Sequence, residues 1–326
     1  MPLIAVDAMG GDNAPHEIVE GALVAAQADG IDIVLVGDET RLKRLVGGRN
    51  TDITLHHASQ IIDMHDDPAH AIRVKKDASI VVASRMVANG EADAMVSAGS
   101  TGAAMACAAF VIGRLEGVVR PAIASFFPTG QLVMDMGANL EVKAEHLLQF
   151  AVMGTALSQV YQHVEAPKVG LLNIGEEPTK GRDIEKAAHV LLASSDAINF
   201  VGNVEGRDIA TSKADVIVTD GFTGNVLLKT SEGASKVIQN LIFEIMARPE
   251  YQELAASLMP AFMEMRERLS PESVGGAHLV GTKGVVVIAH GSSSRVAVAN
   301  AIVMASEGAK SGLVEKISDG IAAAAR

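Results

Sequence analysis

Short apolar runs rich in Val and Ile recur along the chain: "LIAVD" at 3–7, "IDIVLVG" at 31–37, "ADAMVSAG" at 92–99, "AIASFF" at 122–127, "QLVMDMG" at 131–137, "KVGLLNIG" at 168–175, "NFVGNV" at 199–204, "DVIVTDG" at 215–221 and "GVVVIAHG" at 284–291. The segments between them carry helical spacing, as in Ile18, Ala22 and Ala25, or Val142, His146, Phe150 and Met153. Strand-like runs alternating with one-sided helices predict an α/β protein with a mostly parallel central sheet. Residues 249–270 stand apart: Tyr251, Leu254, Leu258, Phe262, Met265 and Leu269 recur every three or four positions, giving an amphipathic helix kinked at Pro260. A helix through 231–246 pairs with it, so 231–270 is predicted as a helical hairpin. No repeat, low-complexity tract or Pro/Ser-rich linker divides the chain, and residues 1–326 are expected to form one α/β domain of two lobes sharing a central sheet.

Composition sharpens this picture. Hydrophobic residues make up 48% of 326 residues, aromatics only 3%, and Trp is missing, so the core is built from Ala, Val, Ile, Leu and Met. That palette suits helices packed on a buried parallel sheet. One cysteine, Cys107, excludes a disulfide within the chain and a multi-cysteine zinc or iron–sulfur site; it lies in apolar "AAMACAAF" and is expected to be inert core. "MPLIAVDAMGGDNAP" reaches an aspartate by residue 7, unlike a signal peptide, and no apolar run approaches a membrane span. A soluble, cytoplasmic protein is expected. A net charge of −12 argues against nucleic acid as a ligand, since backbone binding needs clustered cations. Anionic ligands must be held by local donors.

Such donors are concentrated where the predicted strands end. "VDAMGGD" supplies Asp7, Gly10, Gly11 and Asp12; "SAGSTG" supplies Ser100, Thr101 and Gly102; "DMGAN" supplies Asp135 and Asn139. "NIGEEPTKG" supplies Asn173, Gly175, Glu176 and Lys180; "GNVEGRD" supplies Asn203, Glu205 and Gly206; "TDGFTGN" supplies Asp220, Gly221 and Asn225; "AHGSS" supplies His290 and Gly291. Glycine lets backbone approach a ligand and adopt positive φ, and the following helix aims free N–H groups and its positive dipole end at an anion. In an open α/β sheet such turns line the ligand crevice. For any one of these turns, ordinary helix capping is the competing account.

Lys180 precedes a helix that Asp183 or Gly181 starts, and a cation there opposes the macrodipole unless it meets an anion; the alternative is a solvated lysine balanced by Glu176 and Glu177. Asn225 is an uncharged donor, or else a residue suited to left-handed turn geometry. Asp7, Asp12, Asp135 and Asp220 abut glycines, where carboxylates bind turn amides, and no metal is assigned to them. His290 is a general base or one more donor. The P-loop, HExxH, strand-linked GxGxxG and GxSxG motifs are all missing. No cofactor is assigned.

In order, "VDAMGGDNAP", "RVKKDASI", "GEADAMVSAGSTGA", "RPAIA", "DMGAN", "PKVGLLNIGEEPTKG", "FVGNVEGRDI", "DGFTGNVLLK" and "GGAHLVGTKGVVVIAHG" resemble the acyl-carrier-protein:phosphate acyltransferases of bacterial phospholipid synthesis over nearly the whole chain. The resemblance implies a three-layer doubly wound sheet similar to phosphotransacetylases and isocitrate-type dehydrogenases, with the hairpin projecting. It implies transfer of a long acyl chain from acyl carrier protein to inorganic phosphate, a homodimer, a membrane acyltransferase as downstream partner, and peripheral contact with the inner face of the membrane. Ser100, Val274 and Lys283 depart from the family, which carries Asn, Tyr and Asn there. On this reading the turns at Gly10–Gly11, Thr101–Gly102 and Asn203–Gly206 bind phosphate and acyl phosphate, while Lys180 and Asn225 steady transition-state charge. Acyl carrier protein, being acidic, would dock on Arg73, Lys75 and Lys76 or on Arg41, Lys43 and Arg44. A short-chain phosphotransacetylase using coenzyme A, and a non-catalytic acyl-phosphate scaffold, are the competing functions.

Overall fold

Along the buried strands, successive residues are apolar on both sides, and the computed structural model shows why. It describes residues 1–27, 30–49, 53–211 and 213–325. Ile4 and Val6 face one hydrophobic cluster while Ala5 faces another; Ile33 and Leu35 alternate with Val34 and Val36 in the same way. Helices therefore cover both faces of one sheet, and period-2 alternation sorts residues between two cores.

The elements run β1 (Leu3–Asp7), α1 (His16–Ala25), β2 (Asp32–Gly37), α2 (Glu39–Val46), β3 (Thr54–His57), α3 (Pro68–Val74), α4 (Ser79–Ala88), β4 (Ala94–Ser97) and α5 (Thr101–Cys107), which continues into a π turn at Ala108–Ile112. Next come β5 (Ala122–Phe126), β6 (Leu132–Met134), α6 (Ala144–Tyr161), β7 (Lys168–Asn173), α7 (Asp183–Ala193), β8 (Asn199–Glu205) and β9 (Val216–Val218). The chain ends with α8 (Gly221–Met246), α9 (Gln252–Arg268), α10 (Pro271–Val274), β10 (Ala277–Val280), β11 (Val285–Ile288), α11 (Arg295–Lys310) and α12 (Leu313–Ala324).

Eleven strands pair in the order β3-β2-β1-β4-β11-β10-β5-β6-β9-β7-β8. Pairing is parallel except at β11–β10, β10–β5 and β5–β6. Two of these strands, β3 and β10, escape the apolar-run criterion: β3 is the polar "TLHH" at the sheet edge, and β10 is four residues long with His278 inside it. His278 is buried, which pushes its imidazole down to about 3 and keeps it neutral beside Tyr161, ring centroids 4.7 Å apart. Cys107 is buried and its thiol is pushed up to about 12 by burial, which leaves no reactive thiolate.

The antiparallel pairs divide the sheet into two opposed sets. Strands β3, β2, β1, β4 and β11 share one direction; β6, β9, β7 and β8 share the reverse. The helix expected from residue 231 begins ten residues earlier, at Gly221, because Asp220 caps it directly from β9. Beyond its first turn α8 leaves the core: its only buried residues are Gly221 and Gly224, and in α9, which carries Pro260 in its interior, only Ala255 is buried. The hairpin thus projects.

Gly224 and Gly233, both on α8, have opposite surroundings. A Cβ on Gly224 would lie 1.8 Å from the Asp135 carbonyl oxygen, a backbone atom, whereas one on Gly233 would meet nothing within 4 Å. Gly224→Ala is expected to destabilise by about 3 kcal/mol or more, and Gly233→Ala to stabilise by about 0.5–1 kcal/mol, as measured by urea unfolding.

Candidate active site

The polar turns form two groups, one at the carboxyl end of each strand set. In the first, Asp7, Ser97 and Ile288 lie abreast. Asp7 is buried and accepts hydrogen bonds from Ser97 Oγ (2.7 Å) and the Met9 N–H (3.3 Å), while Ser97 Oγ accepts from the Gly99 N–H (3.1 Å). Burial raises its carboxyl above the ordinary aspartate value despite these bonds. Gly10 touches the next turn so closely that a Cβ would come within 2.9 Å of Gly99 Cα. Gly11 has φ +115°, a conformation that favours glycine. The Asp12 N–H donates to the Gly291 carbonyl (2.8 Å), joining the turns after β1 and β11.

Ser100 caps α5, accepting from the Ala103 N–H at 3.4 Å; Thr101 is exposed, and Gly102 lies against Pro68 at the start of α3. His290 is exposed, with its Nδ1 within hydrogen-bond distance of the Ser292 hydroxyl (2.8 Å) and the Ser292 N–H (3.2 Å). The loop before α3 lies over this group, with Met64 against Gly291. Lys75 is committed to that loop: its Nζ donates to the Ile61 carbonyl (2.9 Å) and Asp66 (2.5 Å). It is therefore not the free docking cation expected from "RVKK"; Arg73 and Lys76 are exposed. In "RLKR", Lys43 is paired with Glu39.

The second group gathers at the other strand set, where Met134, Val218 and Leu171 lie abreast. Asp135, fully buried, accepts from the N–H groups of Ile123 (3.1 Å), Gly137 (3.1 Å), Ala138 (2.9 Å) and Asn139 (2.8 Å) and from Asn139 Nδ2 (2.8 Å). Burial nonetheless raises its carboxyl. The Asn139 carbonyl accepts the Gly221 N–H at 2.8 Å. Asp220 caps α8 by accepting from the Thr223 N–H and hydroxyl, each at 2.8 Å, and pairs with Arg182. Burial pushes Asp220 up, but these donors and the guanidinium outweigh it and hold the carboxyl below the ordinary range.

Arg182 also grips Glu185, whose carboxylate accepts the Arg182 backbone N–H (2.7 Å), so one residue ties the turn after β7 to the start of α8. Asn173 Nδ2 donates to the Lys180 carbonyl (3.1 Å) and Asn203 Nδ2 to the Glu177 carbonyl (2.8 Å), shaping that turn. Gly175 is buried against the Lys180 side chain. Lys180 itself is exposed and, among the described residues, makes no ion pair, since Glu176 is paired with Lys213. Asn225 is helical, inside the first turns of α8, with its side chain beside Gly137, so left-handed turn geometry is not its role. Glu176, Glu205 and Asp208 bring carboxylate oxygens within 4.8 Å of one another. Lys213 bridges Glu176 and Asp208, and Arg207 pairs with Glu205, so each carboxylate of the cluster already has a protein cation beside it. Gly206 opens the short turn Gly206–Ala210 behind it.

Among the described residues no hydrogen bond or ion pair joins the first group to the second. Asn139 was expected only as a strand-end donor, and neither Arg182 nor the Met64 loop was assigned a role from the sequence; Arg182 had a visible signal, an arginine at the position where a helix cap stands.

An open α/β sheet with its polar turns at the strand ends defines the class, and solved structures share it. A phosphotransacetylase from Streptococcus pyogenes superposes with TM-score 0.64 at 16% identity over 95% of this chain and 94% of the other, and the EutD phosphotransacetylase from Staphylococcus aureus with 0.59 at 19% over 94% of each. The fold is thus that of the phosphotransacetylases. In sequence, the family model described as "Fatty acid synthesis protein" matches residues 3–316. Relatives named phosphate acyltransferase include one from Desulfitobacterium hafniense (strain DSM 10664 / DCB-2), 46% identical over 96% of both chains, and one from Bacillus subtilis (strain 168), 44% identical over 93% of both. The chain belongs to this family.

The Arg182–Asp220 pair makes a pH prediction. Because the folded carboxyl of Asp220 lies below its unfolded value, its contribution is complete above that unfolded value and is lost as pH falls through the folded one. Asp220→Asn, which keeps the cap and forfeits the pair, is expected to be less stable than wild type at about pH 7 and to converge on it below about pH 4 in urea unfolding.

Proposed function

We propose that this chain moves a long-chain acyl group from the thioester of acyl carrier protein to inorganic phosphate, releasing acyl phosphate and the carrier thiol. Family membership and relatives named phosphate acyltransferase make it an acyltransferase enzyme that uses phosphate as acceptor. The carrier and the chain length are the finer part of the proposal.

The observation that carries it is Lys180: an exposed cation which, among the described residues, has no carboxylate partner, in a chain of net charge −12, on the turn that the Arg182–Asp220 pair ties to the start of α8. In the reaction a phosphate oxygen attacks the thioester carbonyl, the carbonyl oxygen becomes an oxyanion, and the C–S bond then breaks. A thiol with a pKa near 8.5 leaves as thiolate without a strong acid, and the attacking phosphate is already anionic. Such chemistry needs positioned donors more than a catalytic triad. Lys180 and Asn225 steady the developing charge. The backbone turns at Gly10–Gly11 and Thr101–Gly102, with Asp7, Asp12, Ser100, His290 and Gly291, hold the phosphate side; Asn173, Gly175, Glu176, Asn203, Glu205, Gly206, Asp220 and Gly221 shape the corner around Lys180.

The opposed strand directions are compatible with one cleft. Five strand steps separate β4 from β9, and a twist of about 20–25° per step leaves their carboxyl directions about 55–80° apart rather than opposed. On this proposal the two groups face each other across the junction of the two lobes.

A second copy of this chain is the proposed partner for the hairpin, whose Ile238, Leu241, Leu254 and Leu258 are each more than 40% exposed. Peripheral contact with the inner face of a membrane, beside a membrane acyltransferase that takes the product, is the second reading for that surface. No helix among the described residues is long and apolar enough to cross a membrane.

Thiol release that requires phosphate is expected from palmitoyl-acyl carrier protein and to be at least about tenfold slower from acetyl-coenzyme A; Lys180→Ala is expected to lower turnover about 100- to 1,000-fold. Equal rates from the two donors would replace the carrier-dependent reading with a short-chain phosphotransacetylase, and a Lys180→Ala rate within about threefold of wild type would remove Lys180 from the chemistry. For the hairpin, Leu258→Glu is expected to convert a dimer to monomer in sedimentation velocity; unchanged association with lost binding to anionic vesicles would assign the surface to lipid instead.

A further inference from the structure

Around the Lys180–Asn225 corner, four large apolar side chains stand in solvent. Leu140 is 71% exposed, Ile174 80%, Phe222 61% and Val226 50%. The turn hydrogen bonds bring all four into one loop cluster. Leu140 follows Asn139, whose carbonyl holds the Gly221 N–H, and so lies beside the first turn of α8. Phe222 and Val226 are four positions apart in α8 and share one face. Ile174 opens the turn in which Asn173 holds the Lys180 carbonyl, and Arg182 bonds that turn to Asp220, the cap of α8.

Scattered exposed apolar residues need no explanation, but four on turns bonded to the one that carries Lys180, a cation with no ion pair among the described residues, form a two-part surface. Its polar part suits an anionic or developing-oxyanion head, and its apolar part suits a hydrocarbon tail. Another groove, of about 410 Å³, lies between α6, the β5–β6 turn, α10 and α11 and is lined by Phe126, Tyr161, Val303 and Met304. Its one charged lining residue is Glu307, so it offers an anionic head group no cation.

We propose that Leu140, Ile174, Phe222 and Val226 are the seat of the acyl chain, which runs outward from a reacting carbonyl held at Lys180 and Asn225. The proposal rests on the acyl-transfer reading above and adds to it the residues that set chain-length preference. Each methylene laid fully on such a surface improves binding up to about fourfold, so a long chain outcompetes a short one only while the seat is intact. The apolar stripe of α8 continues through Val237, Leu241 and Ile245, which makes a second copy of this chain the rival occupant of Phe222 and Val226.

The test is equilibrium binding of two non-transferable probes, palmitoyl phosphonate and butyryl phosphonate, to the full-length chain and to the double variant Leu140→Ser, Phe222→Ser, with sedimentation velocity on both proteins. Both side chains are exposed, so folding is not at stake. Wild type is expected to bind the palmitoyl probe at least about tenfold tighter than the butyryl probe, and the variant to retain a preference of about threefold or less. No preference in wild type, or a variant preference within about twofold of wild type, overturns the proposal. So does a variant that dissociates to a smaller species, which assigns the patch to self-association. Palmitoyl and butyryl thioesters assayed in parallel with phosphate separate the two levels: no thiol release from either donor defeats the acyl-transfer reading, while the binding ratio still judges the seat.

Discussion

Three buried carboxylates, at the ends of β1, β6 and β9, organise the polar turns of this molecule. A carboxylate taken out of water must be compensated by donors, and Asp7, Asp135 and Asp220 find theirs in the turns that follow their own strands and in neighbouring turns. Each therefore converts a burial cost into loop geometry. Asp7 fixes the Ser97–Gly99 turn, Asp135 collects amides from both β5 and the 137–139 turn, and Asp220 starts α8. The directions of their acidity record the difference in compensation. Asp7 and Asp135, held by neutral donors, are raised, whereas Asp220, with a guanidinium beside it, is lowered.

This arrangement explains how a strongly acidic chain presents a cation. The corner around β7, β8 and β9 contains Lys180, Arg182, Arg207 and Lys213, and three of the four are consumed by carboxylates of the scaffold. Arg182 and Lys213 hold the turn in place; Lys180 makes no ion pair among the described residues. A free charge held by paired ones is worth more to a ligand than a mobile lysine, because the cost of ordering the turn has been met by folding.

The layered sheet was legible in the sequence because strands buried on both faces must be apolar throughout; apolar runs mark nine of the eleven, among them the half-exposed edge strand β8. The exceptions show what the criterion cannot see. β3 is an edge strand exposed enough to be "TLHH", and β10 reverses direction within a hairpin, carrying a buried neutral histidine. That reversal also limited the reading of the site. Glycine and polar residues at strand ends were visible one turn at a time, but their division into two groups depends on strand direction, which apolar patterning does not encode. Lysine pairing was equally hidden: Lys75 and Lys180 look alike in sequence, yet one is anchored to Asp66 and the other faces solvent, a difference made by loops distant along the chain.

Glycine at Gly224 links the two themes. The Asp135 carbonyl fills the space where a side chain would stand, so α8 begins in contact with the backbone of the turn that Asp135 organises. Close approach places Asn225 against Gly137 and turns the N-terminus of α8 toward the same loops that Arg182 draws in. The first turns of this helix are thus fixed by the core, while the remaining length, with little buried, is free to serve as a surface. A single 26-residue helix joins the corner that Asp220 and Arg182 build to the projecting hairpin, so the two are parts of one continuous element.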